Sequence, residues 1–164
     1  MADRVAVMSR GHIEQVSSPI EIYDRPRTLF VNQFVGSTNV LYGELVRDGS
    51  NKRVVLAGGG EIDAPAISGL AGKVAVAIRP EHLHIAPGGK LAGIVKAVMP
   101  LGAHVVYDVE LATGISLKVS APRADGIAMR QAGEQVCLAP TSMEACHVFP
   151  AHESQQESQQ GVRP

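Results

Sequence analysis

The rhythm of apolar and polar residues changes near position 36, and different structure is predicted on either side of it. Before that point, Val5-Ala6-Val7-Met8 is a short apolar run, Ser9-Arg10-Gly11-His12 reads as a turn, and Ile13-Glu14-Gln15-Val16 alternates, so 1–18 is predicted to be a hairpin. Ser17-Ser18-Pro19 then opens a helix over 19–24, with a Ser cap and Pro at the first helical position, and Pro26 stops it. A second helix is expected over 28–35, with Leu29, Phe30, Gln33 and Phe34 on one side and Gly36 closing its C-terminus. Beyond Ser37 the period shortens. Stretches 39–47, 53–57, 73–79, 93–99, 104–111, 115–120 and 135–140 read as strands separated by Gly-, Asp- and Pro-rich turns. Thr113-Gly114 between two of them is a hairpin signal. Short strands at this spacing predict an all-β, OB-like antiparallel barrel over 37–150, preceded by the hairpin and two short helices. The polar, repetitive stretch from His152 onward is expected to be a disordered tail, 151–164.

Composition narrows this further. A chain of 164 residues suits one domain with small attachments, and 45% apolar residues suffice for a core. With aromatics at 4% and no Trp, that core must rest on Val, Leu, Ile and Ala. The charge is nearly balanced, 15 basic against 16 acidic residues, without the basic face expected of a nucleic-acid binder. Cys137 and Cys146 lack a metal-ligand spacing and read as reduced thiols, with Cys137 placed in the core between Val136 and Leu138. The start carries no apolar leader and no run reaches the ~18 residues of a membrane span, which points to a soluble cytoplasmic chain. Gly43–Val46 and Gly93–Val98 each place a glycine before a β run, too short a likeness to establish an internal repeat.

Candidate chemistry is sparse. A phosphate-cradling loop needs Gly, four residues, then Gly-Lys-Ser/Thr. Gly72-Lys73 and Gly89-Lys90 are preceded at the required position by Ile67 and His84 and followed by Val74 and Leu91, so neither qualifies. Leu56-Ala57-Gly58-Gly59-Gly60 is followed by Glu61-Ile62-Asp63-Ala64-Pro65 rather than by a helix. His82 and His84, with His104 or His147, fall short of a fixed ligand set for a metal. Asp108 and Glu110 share a strand face, the ordinary place for solvated carboxylates. No catalytic or metal-binding residues are assigned. Amides near Gly58–Gly60 or Pro87–Gly89 could form an anion nest, and Glu61, Asp63, Asp108 and Glu110 are the carboxylates a polyamine would seek.

One set of motifs is collinear with a known family. The stretch from Ala2 through Gln15, then Ser18-Pro19-Ile20-Glu21-Ile22-Tyr23-Asp24-Arg25-Pro26 and Leu29-Phe30-Val31-Asn32-Gln33-Phe34-Val35-Gly36, resembles the segment just after the switch histidine of ABC ATPases in polyamine-, iron- and maltose-type importers. Val76-Ala77-Ile78-Arg79-Pro80-Glu81-His82-Leu83 resembles the signature of their transport-associated OB (TOBE) domain, with Leu101-Gly102-Ala103 and 136–138 coming later in the same order. The resemblance implies that 1–36 is a remnant of the ATPase domain and that 37–150 is the regulatory barrel. It implies a non-enzymatic accessory and dimerisation role, with ATP and magnesium used only by the intact parent. The implied partners are a second copy, the ATPase domain and membrane permease subunits at the inner face of the membrane, with no nucleic acid. A small-ligand barrel, for an oxyanion or polyamine, is the competing reading. Arg79, Glu81 and His82 are the interaction residues, with Leu101 and Gly102 shaping a neighbouring turn. On local grounds, Pro80 ends a strand because it cannot donate to the ladder, while Arg79 and Glu81 pair with each other or with backbone.

Overall fold

The computed structural model describes residues 3–49, 51–57, 59–65, 69–123 and 128–151. The tail expected from 152 onward lies outside the described residues. Strands β1 (Val5–Ser9) and β2 (His12–Ser17) pair as a separate two-stranded hairpin. Their turn residues Arg10 and Gly11 both have positive φ, 49° and 81°, which suits the twist of a two-residue hairpin. Helix α1 (Pro19–Asp24) is capped by Ser18, whose hydroxyl accepts from the Glu21 amide, and α2 (Leu29–Phe34) is capped in the same way by Thr28. The C-cap of α2 is Val35, and Gly36 lacks the positive φ of a capping glycine.

The antiparallel, OB-like character expected beyond residue 37 is present, distributed over two five-stranded sheets. The first is ordered β12 (Cys146–Pro150), β6 (Gly72–Ile78), β3 (Asn39–Asp48), β4 (Asn51–Leu56), β5 (Glu61–Ala64), and the second β10 (Ser116–Pro122), β9 (His104–Leu111), β8 (Leu91–Leu101), β11 (Gln135–Pro140), β7 (Leu83–Ile85). Strands β3 (Asn39–Asp48), β4 (Asn51–Leu56) and β5 (Glu61–Ala64) form a meander, and β6 (Gly72–Ile78) pairs with the other edge of β3. Strands β8 (Leu91–Leu101), β9 (His104–Leu111) and β10 (Ser116–Pro122) repeat that meander, with β11 (Gln135–Pro140) on the other edge of β8.

The repeat extends to single residues. Leu41-Tyr42-Gly43-Glu44-Leu45 of β3 corresponds to Leu91-Ala92-Gly93-Ile94-Val95 of β8, with the first and last residue of each buried. Gly43 stands opposite Leu56 and Val74; Gly93 stands opposite Leu111 and Val136. A Cβ on Gly43 would lie 2.4 Å from the Val55 carbonyl oxygen and 2.7 Å from a Val54 methyl. On Gly93 it would lie 2.8 Å from the Glu110 oxygen and 2.7 Å from a Val109 methyl. The two glycines therefore serve one purpose, a close crossing of the first strand over its neighbour. The likeness that was too short to read as a repeat in the sequence marks a real one.

The fifth strand of each half is exchanged. After β6 the chain makes a 3-10 turn (Pro80–His82) and enters β7 (Leu83–Ile85), which pairs with β11 of the second half. After β11 it returns as β12 (Cys146–Pro150), which pairs with β6 of the first half. Leu83-His84-Ile85 and Cys146-His147-Val148 are the matched segments, Leu83 and Cys146 both buried. A buried Asn39 also ties the halves together: its amide donates to the Lys118 carbonyl (2.8 Å) and accepts from the Lys118 N–H (2.7 Å). Buried Val, Leu and Ile of both halves form one continuous core.

Alternation corrects one expectation. On β11 it is Val136 and Leu138 that point inward, so Cys137 lies half-buried on the outer face and Cys146 is the core thiol. Burial pushes the Cys146 thiol up to about 12, far from the reactive range.

Candidate functional site: the junction at Arg79

The two exchanged segments run side by side, with the Thr141 amide donating to the His82 carbonyl at 2.9 Å. Arg79 sits at the start of the first crossover and is only 1% exposed. A guanidinium withdrawn from water needs its charge and donors met. Its Cζ lies 3.7 Å from the centroid of the Tyr23 ring, a cation–π contact from α1, and its Nη1 donates to the Ser37 carbonyl at 3.3 Å. A Cβ on Gly36 would approach Nη1 to 2.9 Å and Tyr23 Cε2 to 3.6 Å. Gly36 is thus required by the passage of Arg79 rather than by the end of the helix.

Tyr23 completes the arrangement by donating its hydroxyl to Glu81 Oε1. Burial and that hydrogen bond raise its phenol above the ordinary value, while the Arg79 guanidinium pulls in the opposite direction. Of the two partners expected for Arg79 and Glu81, each other or backbone, Arg79 takes the backbone one at Ser37, and the two side chains meet only through Tyr23. Sequence reasoning missed Tyr23, whose only signal was its place in the α1 motif.

Apolar contact docks the N-terminal segment independently. Leu29 of α2 packs with Ala75, Ala77 and Phe149 on the outer face of the first half, while Val7, Ile22 and Val31 form a small core of their own. Met8, Ile13, Ile20 and Phe34 remain more than half exposed, an apolar surface on so short a segment.

Beside Arg79 lies a recess of about 260 Å³ lined by Tyr23, Asp24, His82, Thr141, Glu144 and His147, among others. Burial, then Arg79 and His82, lower the His147 imidazole below its ordinary value. Glu144 is held below the usual carboxylate range by its own backbone N–H and the Ser142 hydroxyl. Leu101 and Gly102 lie elsewhere, at the exposed tip of the β8–β9 hairpin, and line no part of this recess.

The other sequence candidates are separate. Gly58 is outside the described residues; the amides of Gly59 and Gly89 donate to the Leu56 and Ala86 carbonyls within their own turns. Glu61 and Asp63 are held by Lys90 Nζ at 2.8 and 3.0 Å, and Glu110 pairs with Lys96 at 3.2 Å. Among the described residues no group of three or more His, Cys, Asp or Glu gathers as a metal site, and no helix is long and apolar enough to cross a membrane.

Residues 76–149, which contain both crossovers, match the TOBE domain family. The chain is 42% identical over 146 residues to the spermidine/putrescine import ATP-binding protein PotA 1 of Pseudomonas aeruginosa, covering 85% of this chain and 39% of that one. It is 45% identical over 91 residues to the sn-glycerol-3-phosphate import ATP-binding protein UgpC of Chromobacterium violaceum, 54% of this chain and 25% of that one. The chain therefore spans well under half the length of these curated relatives. In fold it is similar to the cytoplasmic molybdate-binding protein ModG, with a TM-score of 0.53 at 14% identity over 68% of this chain and 95% of that one. By sequence the chain belongs with the TOBE-bearing ATP-binding subunits of ABC importers, and it corresponds to the C-terminal region of such a subunit.

Proposed function

We propose that this chain is the regulatory and dimerisation module of the ATP-binding subunit of an ABC importer of the polyamine or iron type, without ATPase activity of its own. The observation that carries the reading is the likeness to PotA 1 across 85% of the chain, a longer stretch than residues 37–150 alone could supply. On this reading residues 1–36 are an edge of the ATPase domain, and their exposed Met8, Ile13, Ile20 and Phe34 are surface that domain covers. Residues 37–150 are the regulatory unit, which contacts a second copy. Arg79, Tyr23 and Glu81 clamp the two parts so that movement of one is felt by the other. The permease subunits would hold the assembly at the cytoplasmic face of the membrane.

Sedimentation velocity of the chain across a concentration series tests the self-association. A monomer at all concentrations would overturn it. Phosphate release from magnesium-ATP by the isolated chain should be nil, and turnover would overturn the non-enzymatic reading. A second reading, a barrel that binds a small ligand, is favoured by the recess of about 260 Å³ beside Arg79. The carboxylate pair Glu61/Asp63 does not favour a polyamine, since Lys90 already occupies it.

A further inference from the structure

The seam between the N-terminal segment and the barrel is well packed and poorly hydrogen-bonded. At about 100° per residue, the buried arc of α2 runs from Val31 through Asn32 to Leu29. Val31 faces the small core of Val7 and Ile22, and Leu29 faces Ala75, Ala77 and Phe149. Asn32 lies between them, on the seam itself, and is 0% exposed. Neither its amide nitrogen nor its amide oxygen has a hydrogen-bond partner among the described residues. Thr38 Oγ1, on the link into β3, is buried and unpartnered too. On the barrel side, Arg79 and His82, which line one recess with Tyr23 and Asp24 of α1, each keep one buried nitrogen unmet. These residues supply five of the seven such atoms among the described residues. Buried polar groups in folded proteins are almost always met, and an unmet one costs more than a made bond returns. So many at one seam weaken the closed arrangement, and water would satisfy all of them once the seam opened.

We propose that α2 is a catch that opens and closes in the native protein, with Asn32 as the residue that keeps its closed state marginal. In the closed state Leu29 is seated on the first half and the Tyr23 ring lies on Arg79. In the open state the N-terminal segment leaves the barrel and the amide of Asn32 meets water. The barrel stays folded, because its continuous core contains no residue before Leu41. The segment does not keep its shape alone: a hairpin and two six-residue helices around Val7, Ile22 and Val31 are too little to stand in water. Amide exchange within α2 therefore reports the opening. The proposal rests on the two-part reading above, which it deepens by naming where the parts separate.

The test is native-state amide exchange in the whole ¹⁵N-labelled chain. The probes are the amides of Asn32 and Val35, which donate to the Thr28 and Val31 carbonyls at 3.1 and 3.2 Å. The reference is Val76 of β6, which lies between β3 and β12. The α2 amides should exchange at least ~100-fold faster than that of Val76. Asn32→Leu keeps the branching and removes the polar atoms, and should slow α2 exchange at least ~10-fold while leaving Val76 as it is. Asn32→Ala should slow it as well, although truncating a wholly buried side chain ordinarily loosens what it packs against. The alanine variant carries the test if leucine proves too large for the site. The proposal is overturned if the α2 amides are as protected as Val76 in the unmodified chain, or if neither substitution slows their exchange. A chain that stays monomeric in sedimentation would sink the dimerisation reading and leave this result untouched.

Discussion

The two five-stranded halves share an inner core and differ on the outer face. In the first half, Ala75 and Ala77 of β6 point outward and Leu29 of α2 lies on them with Phe149. In the second half, Cys137 of β11 holds the position of Ala75, and there the outer face, with Ala92 and Ile94, is an open groove of about 780 Å³. Strand alternation explains how the halves could diverge. Inward positions such as Leu41, Leu45 and Val74 are matched by Leu91, Val95 and Val136, because both sets fill one shared core. Outward positions answer only to what docks on them. The N-terminal segment docks on the first half alone, so the second presents its face to other contacts.

That asymmetry breaks most readily at Leu29. Leu29→Ala removes the side chain that covers the first half and should cost about 3 kcal/mol of docking, read as faster amide exchange through Val7–Val31. Ile94→Ser in the open groove should change urea stability by less than about 0.5 kcal/mol, and a loss as large as that of Leu29→Ala would mean the groove is not free. The inner equivalence is next. Gly43→Ala should destabilise by about 2–3 kcal/mol, and Gly93→Ala by somewhat less, because the backbone oxygen is nearer at Gly43 (2.4 Å) than at Gly93 (2.8 Å). If urea midpoints put them in the reverse order, the approach of the backbone oxygen does not set the cost at these crossings. Asn39→Ala deletes the amide that joins the halves and should cost about 1–2 kcal/mol without changing the far-ultraviolet spectrum.

The smallest effect is electrostatic. The folded protein holds the His147 imidazole below its ordinary value, so the folded state binds that proton less readily than the unfolded chain. Stability from this group is complete above the ordinary histidine value and is lost as pH falls from there through the lowered one. His147→Gln should flatten the pH dependence of the melting temperature in that window.

Much of this was legible from local pattern. The cap at Ser18 and the strands β3, β4, β6, β8, β9, β10 and β11 lay in the spacing of residues, and the TOBE signature over Val76–Leu83 in a family resemblance. Three strands were not: β5, β7 and β12 have only four, three and five residues. So few positions give no alternation to read. The exchange of β7 and β12 escaped for a stronger reason, since their partners are fixed by distant strands rather than by neighbours in sequence. Arg79 and Glu81 were found by motif, but their link ran through Tyr23, and no local periodicity connects a ring in α1 to a guanidinium beyond β6. Gly36 was misread because a glycine needed for space looks, in sequence, like one needed for a left-handed turn.

The exchanged strands also set the order of events during synthesis. The first half is translated through β6 early, yet its missing strand is Cys146–Pro150, almost the last described segment to leave the ribosome. Until then β6 keeps an unpaired edge, and β7, emerging in between, has nowhere to go until β11 is made. Domains usually fold as they emerge, N-terminal part first. Here the earlier half must wait for the later one, so a ribosome stalled before residue 146 would hold an open-edged nascent chain ready to pair with its neighbours.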